Sequence, residues 1–128
     1  MRAEEVMVGC YVTFKDCLDG GEFLPVRIVQ VTEREDTFFA CVGDEECSDE
    51  FGFDEEIVPV PLTPSVLEQN GWVYANGVWV LKSSPRLGWN PRTKELITGY
   101  YTFPATIEYV HQLQILMRML GVEETIKL

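Results

Sequence analysis

Catalytic and basic side chains are what this sequence has least of. It holds one histidine, His111, in 128 residues, and 10 lysines and arginines against 21 aspartates and glutamates. Nucleophilic catalysis couples a Ser, Cys or Thr to a neighbouring base. One histidine leaves little to build that from, and the chain has no Gly-x-Ser-x-Gly elbow, Walker loop or Gly-x-Gly-x-x-Gly fingerprint. The expectation is a protein with no catalytic residues and no cofactor. Long apolar runs are missing too: none approaches the roughly 20 residues that cross a bilayer. The opening Met1-Arg2-Ala3-Glu4-Glu5 lacks a basic region followed by an apolar one. These absences predict a cytoplasmic address and no membrane partner.

Metal-ligand spacing is absent as well. Six residues separate Cys10 from Cys17 and five separate Cys41 from Cys47, whereas structural zinc takes paired Cys-x-x-Cys units. In a reducing compartment the four cysteines are expected to be free thiols on strands or in the core. No metal site is expected.

The negative charge is unevenly placed. Met1 to Leu62 carries four basic and sixteen acidic residues, a balance of −12, and the remainder carries six basic and five acidic, a balance of +1. Eight of the sixteen lie close together: Asp44, Glu45, Glu46, Asp49, Glu50, Asp54, Glu55 and Glu56. An EF-hand loop starting at Asp44 would put Asp49 where glycine must make the sharp turn, so the run reads as a solvated acidic loop. Its field repels nucleic-acid phosphates and favours basic partners. A nucleic-acid partner is therefore not expected.

The hydropathy pattern predicts an α+β chain forming one domain, an acidic β-rich lobe over residues 1–62 and an α+β lobe over 63–128. Tyr11 to Lys15, Val26 to Thr32, Thr37 to Val42 and Glu56 to Val60 are rich in β-branched or aromatic residues, as strands are. Turn signals stand at Asp19-Gly20-Gly21 and Gly43-Asp44. Such short, closely spaced strands suggest a small SH3-like barrel. Strict alternation along the second strand puts Val26, Ile28 and Gln30 on one face and Arg27, Val29 and Val31 on the other.

Thr63-Pro64 is an N-cap followed by proline at the first helical position, and Asn70-Gly71 a helix stop, so a helix of about two turns is expected between them. The strongest local signal follows. Trp72-Val73-Tyr74-Ala75 and Val78-Trp79-Val80-Leu81 flank Asn76-Gly77, a pair that accepts the positive φ angles of a two-residue hairpin turn. That turn fixes the register: Ala75 faces Val78, Tyr74 faces Trp79, Val73 faces Val80 and Trp72 faces Leu81. One face then carries Trp72, Tyr74, Trp79 and Leu81, the candidate partner-binding residues. The other carries Val73, Ala75, Val78 and Val80, so both faces are apolar. Such a hairpin is either sandwiched between layers or offers one face to a partner.

Ser83 to Thr93 reads as a loop from its prolines and glycine, with strands again at Leu96 to Ile97 and Tyr100 to Phe103. Arg86, Trp89, Arg92 and Lys94 combine basic and aromatic character, as single-strand binding surfaces do, but three charges in a loop are weak evidence and a plain surface loop is the expected reading. A terminal helix is expected from Thr106 to about Leu120, with Ile107, Val110, Leu113, Met117 and Leu120 as its apolar stripe. A short strand over Thr125 to Leu128 closes the pattern. His111 stands at the edge of the stripe with Glu108 three residues before it, a place where histidine is ordinarily structural.

Three stretches carry a family likeness: Val8-Gly9-Cys10-Tyr11-Val12; Ile57-Val58-Pro59-Val60-Pro61-Leu62-Thr63 on to Leu67-Glu68-Gln69-Asn70-Gly71-Trp72; and Ile107-Glu108-Tyr109-Val110-His111-Gln112-Leu113-Gln114 through Leu120-Gly121 to Ile126-Lys127-Leu128. In these the chain resembles a family of small uncharacterised Bacteroidetes proteins, often prophage-associated, with no established activity. The resemblance implies a bacterial or phage-derived setting and transfers no site residues. The acidic Asp44 to Glu56 segment and Cys10 depart from that pattern. Three functions are expected from the residues themselves. The leading one is a non-enzymatic interaction protein with an unidentified protein partner. The others are an acidic phosphate mimic that blocks a DNA-binding protein, and a small enzyme using His111.

Overall fold

A computed structural model describes residues 7, 9–14, 25–34, 37–42, 49–52, 57–99, 101–122 and 124–128. Within them the chain is α+β, with two five-stranded antiparallel sheets and two helices. None of the described helices is long and apolar enough to cross a membrane.

The first sheet contains β1 (Tyr11–Phe14), β2 (Val26–Arg34), β3 (Thr37–Val42), β4 (Asp49–Gly52) and β5 (Ile57–Pro59), in the order β4-β3-β2-β1-β5. It is a meander whose last strand returns to pair with its first. Strict alternation fails within β2. Ile28 pairs with Val42 but Gln30 pairs with Cys41, so Val29 is an extra residue, a β-bulge. Past the bulge the faces exchange, which is how Val31 comes to pack on the cluster holding Ile28 instead of opposing it. β4 is a second departure from expectation, because the middle of the acidic run pairs with β3, Glu50 opposite Cys41 and Asp49 opposite Val42. A ladder bonds through the backbone, and a charged strand at a sheet edge resists pairing with other chains.

Residues 60–63 lead to the first helix, α1 (Pro64–Gln69), as its caps require. The Thr63 side chain accepts from Val66 N at 3.3 Å, Leu67 is buried, and Gly71 turns the chain at φ +82°. The second sheet then runs β6 (Trp72–Ala75), β7 (Val78–Leu81), β8 (Leu87–Trp89), β9 (Glu95–Thr98) and β10 (Tyr101–Thr106), each strand pairing with the next. The β6–β7 register is the expected one at all four pairs, and Asn76 and Gly77 take φ of 53° and 83°. β8 corrects the loop expected there. Leu87 and Trp89 point into the core, and Gly88 between them lies under Val78, whose Cγ1 would be 3.0 Å from an added Cβ.

The terminal helix, α2 (Val110–Met119), starts later than expected. Thr106 is taken up as the end of β10, opposite Glu95. Residues 107–109 are then held extended: Ile107 N donates to Lys94 O, Leu62 N to Glu108 O, and Val110 N to Val60 O. The Gln112 side chain caps the new start, its Oε1 accepting from Glu108 N at 2.8 Å and Tyr109 N at 3.1 Å. Residues 125–128 form no strand. Instead the Asn70 carboxamide takes the place of a neighbouring strand: its Oδ1 accepts from Lys127 N at 2.7 Å and its Nδ2 donates to Lys127 O at 2.9 Å. This seats Ile126 in the core.

Two buried clusters result. The larger joins Leu67 of α1 and Trp72, Leu81, Leu87, Trp89 and Leu96 of the second sheet to Val110, Leu113 and Met117 of α2. The smaller, in the first sheet, gathers Cys10, Val12, Ile28, Val42 and Ile57 and is covered from α2 by Ile115. Both sheets therefore lean on one helix. Gln114 makes the joint, its Oε1 accepting from Tyr11 N at 2.9 Å and its Nε2 donating to Gly9 O at 3.1 Å.

Candidate functional site

The four residues expected to form a partner surface do not stay together. Trp72 and Leu81, at the base of the hairpin, are each 1% exposed and belong to the core. Trp79 is half-buried against the edge of that core, and Tyr74 opposite it extends past the core. Tyr74 is 59% exposed, and its ring lies against Trp79 at 5.3 Å between centroids, tilted 55°. The hairpin is longer than the core beneath it, so its tip is left to solvent.

The other face of the same hairpin is also uncovered. Val73 is 47% exposed, Ala75 is exposed, and Val78 and Val80 are half-buried. Pairing aligns Val73 with Val80, Val80 with Gly88, Gly88 with Ile97 and Ile97 with Thr102, in one row across all five strands. The missing side chain at Gly88 leaves a dip in this row. Val78, Val80, Pro85, Arg86, Ile97 and Gly99 surround it as a shallow cleft of about 380 Å³. Sequence reasoning found both apolar faces of the hairpin but not this extension, because β8 was not legible.

The basic and aromatic cluster also separates. Trp89 is buried and its Nε1 donates to Ile107 O at 3.0 Å, so it offers no stacking face to a nucleobase. Lys94, at φ +64° in the turn between β8 and β9, sets its ammonium 5.3 Å from the Trp89 ring centroid, a cation–π contact. Arg86 and Arg92 are exposed.

His111 is 3% exposed in the first turn of α2 and stacks on Tyr109, with ring centroids 5.9 Å apart and planes 11° from parallel. With Pro59 and Gln112 these rings line a cavity of about 260 Å³, and among the described lining residues no Ser, Cys, Thr or carboxylate stands beside the imidazole. Glu108 precedes the helix and is exposed, so the pairing of residues three apart on one helix is not available to it. Of the acidic run, Asp49 and Glu50 lie on β4, and Asp44, Glu45, Glu46, Asp54, Glu55 and Glu56 lie outside the described residues.

No family model, curated protein or solved structure matches the chain. Its function must therefore be argued from its surfaces.

Proposed function

We propose that the chain is a non-enzymatic interaction protein whose second sheet docks a protein partner through the tip and outer face of the β6–β7 hairpin. The carrying observation is the exposure of Tyr74 and Val73 on opposite faces of β6, beside an apolar row that continues to Ile97. Aromatic residues on a preformed surface lose little entropy on binding and recur as interface anchors. The net charge of −11 favours a partner with basic groups around its apolar contact, since opposite fields speed encounter. The first sheet would serve as an SH3-like support, a reading favoured by its strand order β4-β3-β2-β1-β5 and the bend in β2.

The test compares the intact chain with Tyr74→Ala and Val73→Asp as baits in extracts of the native host. Because both sites are exposed, each variant should keep its melting temperature within what about 0.5 kcal/mol allows. A partner retained by the parent chain and lost by both variants is the expected outcome, with retention weakening as salt rises. Equal retention by all three baits would remove the hairpin from the function.

A further inference from the structure

A second feature lies at the seam between the two sheets, away from the hairpin. β1, β2, α2 and residues 121, 122 and 124–127 line an open hollow of about 610 Å³, within the roughly 300–1,000 Å³ usual for small-molecule sites. Its lining opposes the character of the chain. Arg27 from β2, Arg118 from the last turn of α2 and Lys127 face it, and Glu124 is the one carboxylate among the described lining residues. Three of only 10 basic residues in a chain of net charge −11 thus converge on one hollow. Tyr11, Val122 and Ile126 give it an apolar side.

The walls are set by the fold. Gln114 ties α2 to the backbone of Gly9 and Tyr11, and Gly121, at φ +73°, turns the chain back along the helix. Gly9 stands at φ +98°, and Nη2 of Arg118 lies 2.9 Å from where a Cβ would be, so the absent side chain gives the guanidinium its place. Both arginines also hold polar or charge contacts within the chain, and an entering anion would share them.

We infer that this cavity binds a small organic anion, a carboxylate- or phosphate-bearing molecule with a short apolar or aromatic body, its charged group held by Arg27, Arg118 and Lys127. Guanidinium forks match planar and tetrahedral oxyanions, and charge-assisted bonds are the strong ones. A long polyanion is disfavoured, because its remaining charges would meet the acidic field of the first half.

The experiment titrates the isotopically labelled full chain at low salt with benzoate, with phenyl phosphate and with benzyl alcohol as the uncharged control. Amide shifts are followed at Gly9, Tyr11, Gly121 and Thr125. The expected result is saturable shifts with at least one anion and none with the alcohol, the tighter anion naming the head group. Arg118→Gln and Arg27→Gln should each weaken binding about tenfold, and Arg118→Lys by less. The inference is overturned if neither anion saturates, if the alcohol gives the same shifts, or if both glutamine variants bind as the parent does. Hairpin variants at Tyr74 should leave the titration unchanged, so its failure and that of the docking reading are separable.

Discussion

The two sheets have the same number of strands and are held in different ways. The second closes over large side chains of its own, Trp72, Trp89, Leu81, Leu87 and Leu96, with α2 directly upon them. Among the described side chains, the first has a cluster of Cys10, Val12, Ile28, Val42 and Ile57, with Ile115 from the far side of that helix packed against it. Among the described side chains, α2 thus meets the second sheet's cluster with four buried residues and the first sheet's with one that is partly buried. Burial of apolar area scales with side-chain size, so the second sheet is expected to be the more stable partner and the first to depend on the joint.

The largest expected effect comes from emptying the stronger core. Trp89→Ala removes a buried ring and its bond to Ile107 O, and should cost about 3–5 kcal/mol. Calorimetry with tryptophan fluorescence would show a single lowered transition if the sheets melt as a unit. A first-sheet signal that persists at the parent temperature would break the dependence argued above.

Gln114→Ala cuts the joint while leaving both cores filled. Stranding Tyr11 N and Gly9 O should cost about 1–3 kcal/mol. The sharper readout is hydrogen exchange: amides of Tyr11 and Ile28 should lose protection while those of Val80 and Trp89 keep theirs. Equal loss in both sheets would mean that they are not joined in this way.

The smallest effect is a pH dependence confined to the first sheet. Burial pushes the Cys10 thiol above its ordinary 9.0, outweighing the downward pull of the Met7 backbone contact and the Arg118 charge. The folded thiol therefore keeps its proton after the unfolded one has lost it. The stability this contributes is full below pH 9 and is lost as pH rises from the unfolded value through the folded one. As pH rises above 9, the parent chain should lose stability faster than Cys10→Ala in denaturant melts. Parallel pH profiles would place the thiol in water.

The features legible from sequence were those with local causes. Asn76-Gly77 needs no distant partner to make its turn, and with it came the complete β6–β7 register. Thr63-Pro64 and Asn70-Gly71 bounded α1 for the same reason. β4 and β8 were missed because each is a short segment made a strand by its neighbour, the one acidic and the other flanked by turn residues. The start of α2 moved because Thr106 had a sheet to join, which no helical period reveals. Alternation correctly put Trp72, Tyr74, Trp79 and Leu81 on one face but said nothing of how far the core reaches beneath it. The seam cavity was out of sight altogether, since Gln114 meets its partners across 103 and 105 residues of chain.

The extra residue at Val29 makes chain length, as distinct from residue identity, a specified quantity in β2. With it, Ile28 and Val31 look inward three positions apart. Deleting Val29 would leave these two residues two positions apart on an unbroken ladder, both still inward, and would remove only the local kink that the bulge gives the strand. An exchange such as Val29→Thr keeps the count and with it the fold. For this strand, removing the extra residue is therefore the mildest change of length, whereas one residue more beside the bulge would set Ile28 and Val31 four positions apart and turn one of them outward.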